Sequence, residues 1–180
     1  LRQRRIRPRF WLLDFYGSAI GKKAVMAVTG IMLLGFVLAH MLGNLHMYQD
    51  AEHMNHYGEY LRTIGEPILP HTGALWILRA GLILAFVLHI HSAYSLTRMN
   101  HAARTVKYQS PRDYVAANFA SRTMRQTGII FSIFLVWHLF DLTFTGTGYH
   151  YVRGLAYENV ANSLARPAVA LLYMAGSIAL

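Results

Sequence analysis

Three apolar runs, each about as long as a hydrocarbon core is thick, constrain this chain more than any other feature. A helix rises about 1.5 Å per residue, so crossing roughly 30 Å of hydrocarbon takes about 20 mainly apolar residues. Residues 24–45, 75–96 and 127–144 meet that condition, interrupted only by small polar residues, histidine or a single charge. In lipid each backbone N–H and C=O must be satisfied within the protein, so the runs predict helices. A fourth run, 167–180, opens with Pro167, which suits the first turn of a helix. It rises only about 21 Å, so the chain is expected to stop inside this helix. The expected fold class is all-α: a transmembrane helix bundle with three complete spans and one partial, as a single membrane-anchor domain over 1–180.

Composition favours lipid as the solvent, because 54% hydrophobic and 13% aromatic residues exceed what one soluble core of this length normally holds. The absence of cysteine excludes disulfides, iron-sulfur ligation by this chain and thiolate-ligated haem, leaving metal chemistry mainly to ten histidines. A net charge of +9 would suit nucleic acid only on a basic face of a soluble fold. Here the charges lie between apolar runs, so no nucleic-acid partner is expected.

The basic residues instead set orientation. Arg2, Arg4, Arg5, Arg7, Arg9, Lys22 and Lys23 precede the first span, and Arg98, Arg104, Lys107, Arg112, Arg122 and Arg125 lie between the second and third. Loops rich in Lys and Arg stay cytoplasmic, so residues 1–23 form a basic cytoplasmic N-terminal segment and the 98–125 connection faces the same side. The 46–74 stretch sets Arg62 against Asp50, Glu52, Glu59 and Glu66, and 145–166 holds Arg153 and Arg166, so both face outward. No convincing cleavage site follows the arginine-rich start, and the first span is expected to be retained.

His40, His89 and His138 lie well inside the spans, where a polar ring must find a partner and marks a functional candidate. Counted from the cytoplasmic edge, His40 is about 24 Å up the first helix and His138 about 17 Å up the third, both in the outer half and able to share one haem. His89, about 21 Å down the descending second helix, lies in the inner half and needs another partner. Two bis-histidine haems stacked across a four-helix bundle are expected, with the fourth ligand beyond Leu180. Each histidine also has a plainer reading as an inter-helix hydrogen-bonding residue or part of a proton path. His91 projects about 200° round the helix from His89, cannot serve the same iron, and reads as a lipid-interface or inter-helix residue. His46, His53, His56, His71, His101 and His150 fall in loops or at span ends, as solvated histidines usually do.

The local motifs then become specific in combination. They are GKKAVMAVTG at Gly21–Gly30, HMLGNL at His40–Leu45, MNHYGEYLR at Met54–Arg62, LHIHSAYSL with the following NHAAR, SRTMRQTG at Ser121–Gly128 and WHLFDLT at Trp137–Thr143. With them the chain resembles the single-subunit, di-haem cytochrome b membrane anchor of bacterial succinate dehydrogenase and fumarate reductase, the succinate:quinone oxidoreductases. The resemblance implies five helices in the full chain, four of them supplying one haem ligand each. It implies flavoprotein and iron-sulfur subunits docked on the inner face of the bacterial cytoplasmic membrane. His40 and His138 match ligands of the outer, distal haem b and His89 one ligand of the inner, proximal haem b. Electrons would pass between the iron-sulfur subunit and membrane menaquinone through the two haems, in either direction, with no dicarboxylate site on this chain.

Haem propionates need basic or hydroxyl partners near the membrane edges, for which Ser18, Lys22, Lys23 and Arg79 are candidates. Lys22 and Lys23 read equally as topology-setting bases and Arg79 as a snorkelling side chain. Glu59, Glu66 and Asp141 are candidate quinone or proton-site acids toward the outer end; Asp141 shares a helix face with His138 but stands near the span's end, where solvation alone would explain it. The SRTMR run is placed to meet the iron-sulfur subunit, a quinone or lipid headgroups. Alternatives are the di-haem cytochrome b of another quinone-linked dehydrogenase, a haem-free anchor, and a proton transporter whose histidines carry protons without haem.

Overall fold

A computed structural model of the protein describes residues 10–104, 106 and 119–179; the N-terminal arginines up to Arg9, and Lys107 and Arg112, lie outside them. Helices α1 (Trp11–Gly17), α2 (Ala19–Asn44), α3 (Ala51–Thr63), α4 (Gly73–Ala102), α5 (Phe119–Leu139), α6 (Ala156–Leu164) and α7 (Pro167–Ala179) follow in order, and no strand occurs among the described residues. A 3-10 turn, Leu45–Tyr48, continues α2, and a π turn, Phe140–Phe144, continues α5.

Three helical stretches, Ala19–Tyr48, Gly73–Ala102 and Arg122–Phe144, are long and apolar enough to cross a membrane, and they contain the three runs read from the sequence. Their apolar side chains point outward: Ile31 is 72% exposed, Ile77 63% and Ile133 67%. A helix apolar all round that leaves such residues uncovered needs an apolar solvent. The fully buried side chains are Ser92, Asp141 and Ser163. Polar groups sit inside, where neighbours satisfy them, as a membrane interior requires.

The chain packs as two compact units, Leu1–Gly43 with Arg62–Gln109, and Asn44–Leu61 with Ser110–Leu180. In the first, α1 turns into α2 at Ser18, whose extended backbone (ψ 158°) and hydroxyl cap the helix start: Oγ accepts from the Gly21 N–H at 2.9 Å and donates to the Phe15 carbonyl at 2.7 Å. An apolar cavity of about 410 Å³ lies between α2 and α4, lined by Val25, Val28, Met32, Leu84 and Leu88 among others.

In the second unit, Asp50 caps α3 by accepting from the His53 N–H at 2.8 Å. Asn55 on α3 bridges to α6, donating to Glu158 at 2.9 Å and accepting from the Tyr157 N–H at 3.0 Å. The loop after the π turn reverses at Gly146, whose φ of 68° suits glycine and returns Thr147 and Tyr149 to the turn they left.

Candidate functional site

The three histidines within the long apolar helices sit in different surroundings. His89, half-buried on α4, faces α2, where Thr29 is 5% exposed and its Oγ1 lies 3.1 Å from His89 Nδ1. The same hydroxyl donates to the Val25 carbonyl one turn back at 2.7 Å. A hydroxyl has one proton, so while it bonds the Val25 carbonyl the Thr29 oxygen is an acceptor for Nδ1–H, which favours the tautomer with the lone pair on Nε2. Gly30 lets the helix approach the ring, since a Cβ there would stand 3.3 Å from His89 Cε1.

His138, half-buried on α5, reaches the same state by a longer route. Its Nδ1 lies 3.4 Å from the Tyr173 hydroxyl on α7, and that hydroxyl donates to Asp141 Oδ2 at 3.1 Å. An ionised carboxylate only accepts, so while the phenol donates to Asp141 its oxygen is an acceptor for the His138 Nδ1–H. The neighbouring Trp137 Nε1–H is buried with no hydrogen-bond partner. A buried indole N–H ordinarily finds an acceptor, and this one has none among the described residues.

Asp141 itself is fully buried, so its place near the span's end does not leave it in solvent. The π turn carries its carboxylate inward to four donors: Arg166 Nη2 at 2.8 Å, Tyr173 at 3.1 Å, and the hydroxyls of Ser163 and Thr147. Tyr149 donates to the Asp141 carbonyl at 2.6 Å. Burial first, and then the Asp141 charge, push the Tyr149 hydroxyl up to about 12, so it remains a donor.

His40, on α2, is exposed and lies 5.4 Å from the Phe36 ring, centroid to centroid. The pairing of His40 with His138 therefore rests on their matched helix rise. His91 bonds through Nδ1 to the Tyr16 hydroxyl, an inter-helix role.

The four residues considered for propionates divide sharply. Lys22 is only 8% exposed, donates to the Tyr16 carbonyl at 2.9 Å, and lies 4.3 Å above the Tyr16 ring. No carboxylate pairs with it among the described residues. Ser18 has spent its hydroxyl on the cap, Lys23 is exposed, and Arg79 is exposed and stacked 5.2 Å over Trp76. Of the outer acids, Glu59 and Glu66 are exposed, with Glu66 3.1 Å from His71 Nδ1.

Sequence reasoning missed Thr29, Tyr173, Ser163 and the inward role of Arg166. A hydroxyl midway along an apolar run could have flagged Thr29. Nothing local marks the others, which lie 22 to 32 residues from Asp141 in the chain. No protein-family model, curated protein or solved structure matches the chain.

Proposed function

We propose that this chain is the di-haem cytochrome b anchor of a bacterial succinate:quinone oxidoreductase, a multi-pass protein of the cytoplasmic membrane with its N-terminus inside. One observation carries the reading. At both His89 and His138 a hydroxyl oxygen that has its own acceptor stands within hydrogen-bond reach of Nδ1, a setting that favours the tautomer with Nδ1 protonated and the Nε2 lone pair directed at iron. The motif runs from GKKAVMAVTG to WHLFDLT support the family assignment.

The residues present fit the group. The rings of His89 and His138 would each hold a haem iron, and His40 would complete the outer pair. Lys22, a buried cation with no carboxylate partner among the described residues, would hold an anionic propionate, because a buried charge without a counter-charge is costly. When bound, two b haems supply one-electron carriers between the iron-sulfur subunit and menaquinone. The protein fixes ring orientation, keeps water from the irons with its apolar helices, and presents Glu59 and Glu66 at the exposed outer end for proton exchange.

The test is succinate-driven reduction in membranes containing the full-length chain with its flavoprotein and iron-sulfur subunits. A b-type α-band that rises on adding succinate and falls on adding fumarate is expected. A chain with no b-type band, or a band indifferent to both dicarboxylates, would overturn the assignment.

A further inference from the structure

The Asp141 cluster is larger than holding a π turn requires. The carboxylate could be satisfied by Arg166, Ser163 and Thr147, which come from its own loop and the α6–α7 corner. Tyr173 stands a further two turns into α7 and is also the residue against His138. Around the same ring the packing is specific. Phe134 stacks on His138 at 5.9 Å with 24° between planes and meets Tyr173 edge-on at 5.4 Å. Gly176 admits Phe134, since a Cβ there would lie 2.8 Å from Phe134 Cδ2.

We infer that Tyr173 and Asp141 act together as a positioning pair behind His138, in which the buried carboxylate holds the phenol and the phenol oxygen holds the Nδ1–H of the ring. The relay reads Asp141 carboxylate, Tyr173 O–H, His138 Nδ1–H, a carboxylate–histidine arrangement with one phenol interposed. Such partners fix ring rotation and tautomer and raise the electron-donating power of the ligand nitrogen. Because Arg166 and two hydroxyls also hold the carboxylate, the Tyr173 oxygen is aimed from a rigid base. The inference rests on haem ligation by His138. What it adds is that two residues outside the ligand set tune that one iron and leave the iron at His89 alone.

The test compares Tyr173→Phe with Thr147→Val in the assembled complex. Tyr173→Phe keeps the ring and removes the hydroxyl; Thr147→Val removes a donor to Asp141 that does not touch His138. Redox titration of Tyr173→Phe should show one of the two b-haem midpoint potentials moving upward, with an altered low-spin ferric EPR signal for that haem alone. Its retention against a haem-accepting protein should fall roughly tenfold. Thr147→Val should shift that potential less than Tyr173→Phe does. Equal shifts in the two variants, or an unmoved potential and EPR signal in Tyr173→Phe, would overturn the relay while leaving haem ligation standing. Absence of b haem from the wild-type complex would remove both. A measurement that needs no variant is ¹⁵N NMR of the His138 ring in haem-free protein: a protonated Nδ1 with a bare Nε2 is expected, and the opposite tautomer contradicts the relay.

Discussion

His89 and His138 reach one protonation pattern by different means. Behind His89 stands Thr29, whose proton is tied to the carbonyl of its own helix, so the arrangement needs only two helices and a residue at the right turn. Behind His138 stands a phenol on α7, held by a buried carboxylate that the π turn swings inward and that Arg166, Ser163 and Thr147 hold in place. The first support is neutral and rests on one side chain, the second is charged and rests on a network. A hydroxyl bonded to its own helix costs little to maintain, whereas a buried carboxylate persists only while every donor is present. The second unit should therefore be the more fragile and the more sensitive to single substitutions.

The largest expected effect comes from removing a ring. His138→Ala and His89→Ala should each lower bound b haem, read by pyridine haemochrome, and a full complement in either variant would break the comparison at its root. Next is Asp141→Ala, which strands a partly buried guanidinium and three hydroxyls. It should destabilise the protein by about 3 kcal/mol, the lower end for a broken buried pair because the Arg166 side chain is 26% exposed. Thermal unfolding in detergent measures this. Thr29→Val removes the neutral hydrogen bonds to His89 and the Val25 carbonyl and should cost about 1 kcal/mol in the same assay. A loss equal to that of Asp141→Ala would erase the distinction between neutral and charged support.

The smallest effect concerns the α3 cap. The His53 backbone N–H, then its imidazole, hold the exposed Asp50 carboxyl below the ordinary carboxylate range. A depressed folded value means the cap's contribution is present above the unfolded value and is lost as pH falls through the folded one. An NMR titration of the His53 amide should thus show its midpoint below the range of a free aspartate, and a midpoint within that range would remove the cap.

The difference between the units also explains what the sequence disclosed. The long apolar helices were legible because 20-residue apolar runs have one common solution, and His40, His89 and His138 became candidates because a ring within such a run stands out. Thr29 was legible in principle, seven residues above Lys22 on an otherwise apolar helix. The Asp141 network was not. Arg166 reads as a loop base before Pro167, Ser163 and Thr147 as ordinary loop hydroxyls, and the π turn that buries Asp141 has no local signature in FDLTF. Lys22 likewise reads as an interfacial base, and only the turn at Ser18 buries it against Tyr16. Periodicity and hydropathy report on the solvent a helix meets, while convergence of residues distant in the chain depends on packing that one sequence does not display.

The most direct measurement is pyridine haemochrome quantitation, with a dithionite-reduced minus oxidised spectrum, on the purified full-length protein with its co-purifying subunits. Two b haems per chain are expected, falling in His138→Ala with loss of one α-band component. A protein that purifies folded without Soret absorption would contradict the assignment and turn the same half-buried histidines and tyrosines into a case for proton movement without haem.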